Sequence, residues 1–255
     1  HKYRRGHLAV FSGGSSHTGA ARLAAAAGLA AGAGLVTVAS PADAMPANAG
    51  HLTAVMLREV DDAASMRAWL ASAKLSAFVL GPGFGVGDKA RDFVLALDGR
   101  PLVLDADGIT SFRDHRDQLF EAYAADEARL VLTPHEGEFG RLFPELAEAD
   151  ELSKAEKAVA AARLASAAVV YKGADTVIAA PDGRALINEN APPWLATAGS
   201  GDVLAGMIGA LLANGMPAFE AAAAGVYLHG EAAVRAGEGL TAESLVRHIG
   251  PLGHD

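Results

Sequence analysis

Short apolar runs alternate with Ala-rich stretches along most of this chain. Leu8-Ala9-Val10-Phe11 reads as a buried strand that ends at Ser12-Gly13-Gly14, and Leu35-Val36-Thr37-Val38-Ala39 as a second, stopped by Pro41. Further strands are predicted at 77–80, 102–104, 130–132, 169–171 and 176–180. Helical patterns fall at 19–33, 64–73, 89–97, 152–165, 203–213 and 218–236. Strands without polar alternation are covered on both faces, and strands separated by helices run parallel. Asp182-Gly183 predicts a tight turn in a hairpin formed by the last strands, near Gly173. The pattern predicts one α/β domain over residues 1–255: a doubly wound, mostly parallel sheet with helices on both faces.

In such sheets ligands bind beyond the carboxyl ends of the strands. Those ends here carry Gly13-Gly14-Ser15, Gly81-Pro82-Gly83, Asp105-Ala106-Asp107, Thr133-Pro134-His135-Glu136 and Lys172-Gly173. Glycine and polar residues gather at one end of five strands, which predicts a site there.

Composition narrows the chemistry. Hydrophobic residues at 51 % and charged residues at 20 % supply a large core and exclude disorder. A net charge of −9 argues against nucleic acid as a partner, and the basic run His1-Lys2-Tyr3-Arg4-Arg5 reads as a solvated end. The absence of cysteine excludes disulfides, thiolate metal sites and Cys nucleophiles, and fits a reducing cytoplasm. No apolar run reaches the roughly 18 to 20 residues that span a bilayer, so no membrane partner is expected. A first residue that is His rather than Met is expected of a trimmed chain or of part of a longer one.

Several motifs compete for the site. Gly14 and Gly19 have the spacing of a P-loop, but Ala20-Ala21 stands where Lys and a hydroxyl residue are needed, which leaves a tight turn or a close ligand approach. Gly85-Val86-Gly87-Asp88-Lys89-Ala90, with Asp105 downstream, fits a loose dinucleotide fingerprint, yet Gly81-Pro82-Gly83-Phe84 separates it from its strand. His229-Gly230-Glu231 lacks the cysteines of a zinc deaminase and reads as a helix residue with a satisfied ring. His135, at a strand end after Pro134, is the better site histidine.

The stretch Ala198-Gly199-Ser200-Gly201 precedes Asp202 and an apolar helix. Small residues let backbone N–H groups approach an anion closely, and the helix end adds its positive dipole. Asp202 alone would be a helix cap. Glycines on both sides of Ser200, and Lys172 at another strand end, favour a base that handles phosphoryl transfer.

At this point the chain resembles a known family. "GSGDVLAGMIGALL", "LTPHEGEFGRL", "VVYKGADTVIA", "VLDADGI", "GPGFG" and the first 38 residues are together similar to the ADP- or ATP-dependent NAD(P)H-hydrate dehydratases. The resemblance implies a ribokinase-like fold and a repair reaction, the return of hydrated NADH or NADPH to the reduced cofactor. ADP (or ATP) would be the co-substrate, with Mg2+. By the same resemblance Asp202 takes the hydroxyl proton and contacts the hydrate, and Ala20, Gly83, Gly85 and His135 line the hydrate pocket. Lys172, Gly173, Ala174, Asp175 and Thr176 contact the nucleotide, and Ala198, Gly199, Ser200 and Gly201 form the anion hole. Asp105 and Glu138 reach magnesium directly or through water. A homo-oligomer, such as a tetramer, and an NAD(P)H-hydrate epimerase, fused or separate, are implied as partners. Glu136 departs from the family pattern, which more often has Pro there. The rival readings are a ribokinase-like kinase of a pyrimidine or thiazole alcohol, which would share Asp202 and the anion hole, and a nucleotide-binding module without catalysis.

Overall fold

The computed structural model describes residues 5–250; the basic run at 1–5 lies, apart from Arg5, outside them. Among the described residues nine strands form one sheet: β1 His7–Phe11, β2 Leu35–Ser40, β3 Met56–Glu59, β4 Ala77–Leu80, β5 Leu102–Leu104, β6 Leu130–Leu132, β7 Ala168–Tyr171, β8 Thr176–Ala179 and β9 Ala185–Asn188. Their order is β3-β2-β1-β4-β5-β6-β7-β8-β9. The first seven are parallel, with Val10 opposite Val38 on one side and Val79 on the other. β8 and β9 reverse direction as hairpins. The predicted Asp182-Gly183 turn joins them, with Gly183 at φ +98°. The strand order reverses between β1 and β4, which opens a crevice at their carboxyl ends.

Twelve helices accompany the strands among the described residues. In the first half these are α1 Thr18–Ala30, α2 Met45–Ala49, α3 Ala63–Ser72, α4 Asp88–Ala96, α5 Ala106–Ser111 and α6 Arg116–Ala122. In the second half they are α7 Glu136–Leu142, α8 Pro144–Ala147, α9 Lys154–Ala165, α10 Ser200–Ala213, α11 Ala218–Ala236 and α12 Ala242–Arg247. None is long and apolar enough to cross a membrane.

Strand periodicity sorts the core into two layers. Ala9, Phe11, Phe78, Leu80, Leu102 and Leu104 face α3, α4, α5, α7 and α9 in a layer rich in Phe and Leu. Leu8, Val10, Ala77, Val79 and Val103 face α1, α10 and α11 in a layer of Ala and Val. The small residues of this second layer bring α1 and α10 together. A Cβ on Gly206 of α10 would lie 2.0 Å from the Ala24 carbonyl oxygen of α1. That contact anchors α10, and so fixes where its first turn stands at the sheet edge.

Two strands lie outside the expected set. β3 and β9 occupy the sheet edges with mostly exposed side chains, so they show no buried apolar run to read. They exist because β2 and β8 offer them backbone partners.

Candidate active site

The loop Ala198-Gly199 enters α10 with Gly199 in the left-handed region at φ +84°. No side chain caps this helix. Ser200 N–H donates to the Thr197 carbonyl and Val203 N–H to the Gly199 carbonyl, while the N–H groups of Gly201 and Asp202 have no backbone or side-chain acceptor among the described residues. Two free amides and a positive helix end therefore point into the crevice, as an anion cradle requires.

Lys172 stands opposite. It follows β7, and its backbone N–H is tied to the Pro134 carbonyl at 2.9 Å. Its Nζ donates to Asp105 Oδ1 at 2.9 Å and lies 4.0 Å from Glu138 Oε2. A Cβ on Gly201 would sit 3.7 Å from that Nζ and 3.9 Å from Asp105 Oδ2, so the ion pair lies against the cradle. Burial opposes the ammonium charge, yet the carboxylates of Asp105, Glu138 and Asp202 outweigh it and hold Lys172 above its ordinary value. Asp202 is raised as well, which for a carboxyl disfavours the charged form: burial and the neighbouring Asp105 charge lift it to about 6, against the pull of Lys172. A carboxylate poised near neutrality beside free amides suits a general base at an alcohol.

Asp105 owes its place to backbone strain and close packing. Ala106 after it adopts φ +47°, a left-handed conformation unusual for a residue with a side chain. Gly81 at the end of β4 has φ +130°, and a Cβ there would lie 1.7 Å from the Asp105 carbonyl oxygen. A glycine is required at that contact.

His135 does two things. Its Nδ1 accepts from the N–H groups of Gly137 and Glu138, at 3.0 and 3.3 Å, while Glu138 Oε2 accepts from His135 N–H, a reciprocal cap on α7. The ring itself lies on the wall of a cavity of about 670 Å³. Lys172, Gly173, Ala174, Thr176, Ser200 and Gly201 line the same cavity. Asp175 is exposed and pairs instead with Lys154, whose Nζ lies 3.0 Å from its Oδ1. In the loop after β4, Gly83 meets Ala20 of α1: a Cβ on Gly83 would be 3.3 Å from Ala20 Cβ. Gly85 follows two residues on in the same loop, its N–H held by Asp107 at 2.9 Å. A second cleft of about 610 Å³ along the outer face of α1 holds none of the catalytic candidates.

Two sequence expectations change. The His229 ring is less well satisfied than expected: it is buried in α11, burial lowers it to about 4 against the opposing pull of the Ser200 backbone, and Nε2 makes no hydrogen bond of good geometry among the described residues. It also lines the large cavity, as do Asn188 of β9 and Pro192, which no sequence motif singled out. Asp105 and Glu138 do converge, but on the Lys172 ammonium. Among the described residues no group of three or more His, Asp or Glu side chains is arranged to hold a metal. Lys172 thus pairs with one oxygen of Asp105 and lies 4.0 Å from one oxygen of Glu138.

Similarity to known proteins agrees with this geometry. A family model described as NAD(P)H-hydrate dehydratase matches residues 8–250. The chain is 35 % identical over 261 residues to the ADP-dependent (S)-NAD(P)H-hydrate dehydratase of Neisseria meningitidis, covering 98 % of this chain and 84 % of that one. It is 39 % identical over 225 residues to the bifunctional NAD(P)H-hydrate repair enzyme Nnr of Mycobacterium tuberculosis, covering 87 % of this chain but only 44 % of that protein's length. The crystal structure of the ADP/ATP-dependent NAD(P)H-hydrate dehydratase of Bacillus subtilis, co-crystallised with ATP and Mg2+, superposes with a TM-score of 0.81 at 27 % identity, covering 98 % and 89 % of the two chains. A ribokinase-like superfamily protein of Enterococcus faecalis, at 22 % identity and TM-score 0.82, shares the fold, with coverage of 98 % and 87 %. With the match running almost from end to end, this chain belongs to the NAD(P)H-hydrate dehydratase family.

Proposed function

We propose that this protein dehydrates the S-form of hydrated NADH or NADPH at the expense of ADP, yielding NAD(P)H, AMP and phosphate. The observation that carries the reading is Asp202, raised to about 6 and set in the first turn of α10 between two free amides and Lys172.

The chemistry follows from the layout. Hydroxide is a poor leaving group, so the C6 hydroxyl of the hydrate is first made into a phosphate ester. Asp202 accepts the hydroxyl proton as the oxygen attacks the terminal phosphorus of ADP; the new P–O bond forms while the bond to AMP breaks. The Gly201 and Asp202 amides hold the transferred group, and Lys172 offsets its charge. The lone pair of the ring nitrogen then expels phosphate from C6, and loss of a proton from C5 restores the C5–C6 double bond. The cavity lined by Gly173, Ala174 and Thr176 receives the nucleotide, with His135, Ala20 and Gly83 on the hydrate. Magnesium would enter on the nucleotide phosphates and offset their charge, with Asp105 and Glu138 reaching it through its water shell. A homo-oligomeric assembly, a cytoplasmic location and an epimerase partner belong to the same proposal.

Incubation with hydrated NADH and ADP tests it. Return of the dihydronicotinamide absorbance together with stoichiometric AMP supports the dehydratase. Phosphorylation of a pyrimidine or thiazole alcohol, with no NADH regained, would assign the fold to a kinase instead.

A further inference from the structure

The chain between β7 and β8 carries one wall of the large cavity: Lys172, Gly173, Ala174 and Thr176 line it, and Asp175 does not. This loop has few hydrogen bonds of its own. Among the described residues the backbone N–H groups of Gly173, Ala174 and Asp175 have no acceptor, and Thr176 Oγ1 closes the turn by donating to the Gly173 carbonyl at 3.2 Å. A loop so weakly bonded to itself needs an outside hold to keep one shape.

That hold comes from α9. Lys154, the first residue of the helix, donates from Nζ to the Asp175 backbone carbonyl at 2.5 Å and to Asp175 Oδ1 at 3.0 Å. The ammonium also lies over Tyr171, 4.9 Å from the ring centroid, and that ring stacks on Phe139 of α7 at 4.0 Å. Gly173 completes the fit, because a Cβ there would collide with Nζ. Lys154 therefore grips the chain on both sides of the cavity wall, at Tyr171 before it and at Asp175 within it. The helix does not explain the residue. A cation in the first turn opposes the helix dipole, and the reciprocal bonds of Ser153 and Glu156 already cap α9. Nor is it a simple surface ion pair: the shorter of its two bonds goes to a backbone carbonyl, which holds the main chain itself.

We propose that Lys154 is a positioning residue of the nucleotide site: from outside the cavity it fixes the shape of the 172–176 loop and so sets the affinity for the adenine nucleotide. This rests on the reading of that cavity as the nucleotide site. Lys154 is not among the residues that line the cavity, and it acts through the loop. A loop that holds its binding shape for only a fraction of the time raises the apparent Kd by the inverse of that fraction.

The test is calorimetric titration with ADP, alongside steady-state kinetics on hydrated NADH, for the wild type, Lys154→Met and Lys154→Arg. Methionine keeps the stem beside Tyr171 and removes the donors. Its Kd and KM for ADP are expected to rise about three- to tenfold, as for a loop in its binding shape roughly a third to a tenth of the time. KM for the hydrate and kcat should stay within about twofold, and arginine, which retains charged donors, should restore the affinity for ADP. Unchanged ADP affinity in Lys154→Met would overturn the proposal. So would an equal rise in KM for both substrates with a lower melting midpoint, which would make Lys154 a support of the fold. A wild type that binds no ADP would overturn the reading of the cavity, and this proposal with it.

Discussion

On the β5–β7 side of the crevice, Asp105, Glu138, Lys172 and Asp202 sit within hydrogen-bonding or close Coulombic reach of one another. On the β1–β4 side the walls are the backbones of Gly13, Gly81 and Gly83, pressed together so tightly that a methyl group would not fit. One side is made of charge and the other of close-packed backbone. Charge at the first works only because it is buried: Asp105 and Glu138 side chains are 3 % and 7 % exposed, so both fields act on Lys172, and that of Asp105 on Asp202, with little screening. Close packing at the second is possible only because three glycines forgo side chains. Mutations should accordingly cost activity on one side and stability on the other.

The largest effect is expected at Asp202. Asp202→Asn should lower kcat by roughly 10²- to 10⁴-fold, the contribution of a general base, while AMP affinity measured by calorimetry stays within a few-fold. Retained turnover would remove the residue from that role. Wild-type kcat/KM should climb with pH through about 6, as the carboxylate ionises. The stability sign is the reverse. Because the folded-state value lies above the ordinary carboxyl value of 3.8, the unfolded chain ionises first as pH rises, and folding is disfavoured progressively between 3.8 and about 6. Thermal melts should therefore show the Asn variant gaining on the wild type across that window and keeping its lead at neutral pH.

Gly81→Ala comes next, and it probes where the two sides join. The substitution forces a Cβ at φ +130° against the Asp105 carbonyl, for an expected loss of about 3 kcal/mol in denaturant unfolding. Because the same contact seats Asp105, activity should fall with it. An unchanged unfolding midpoint would show that the glycine wall yields more readily than its packing indicates.

His135→Ala is expected to be milder. Removing the cap on α7 costs about 1 kcal/mol, and KM for the hydrate should rise more than KM for ADP. The smallest change is expected for Glu136→Pro. Glu136 is the first residue of α7, where proline is compatible with the helix, and its side chain accepts from Tyr171 Oη at 2.7 Å. Losing that bond should lower stability by no more than about 1 kcal/mol, with turnover unchanged, as read by melting and by initial rates. A large loss would mean that the Tyr171 bond positions the His135 loop.

The strands at 77–80, 102–104 and 130–132 were legible to the residue, because a strand buried on both faces is apolar throughout. The edge strands β3 and β9 were not, since their side chains face solvent and only a neighbour's backbone makes them strands. In the site, the glycine-flanked Asp202 and the strand-end Lys172 stood out by local context. The union of Lys172 with Asp105, 67 residues away, did not, and neither did the left-handed Ala106 that turns the chain after it. His229 looked like an ordinary helix residue, and only packing shows its ring to be fully buried, with Nε2 making no hydrogen bond of good geometry among the described residues.

The amino-acid order by itself determined the layering of the sheet, the small-residue entry to α10 and the identity of the acid there, because each depends on residues close in sequence. The tertiary structure decided what that acid is: its desolvation and the opposing charges of Asp105 and Lys172 come from strand ends far apart in the chain, and a protonation equilibrium responds to distance in space.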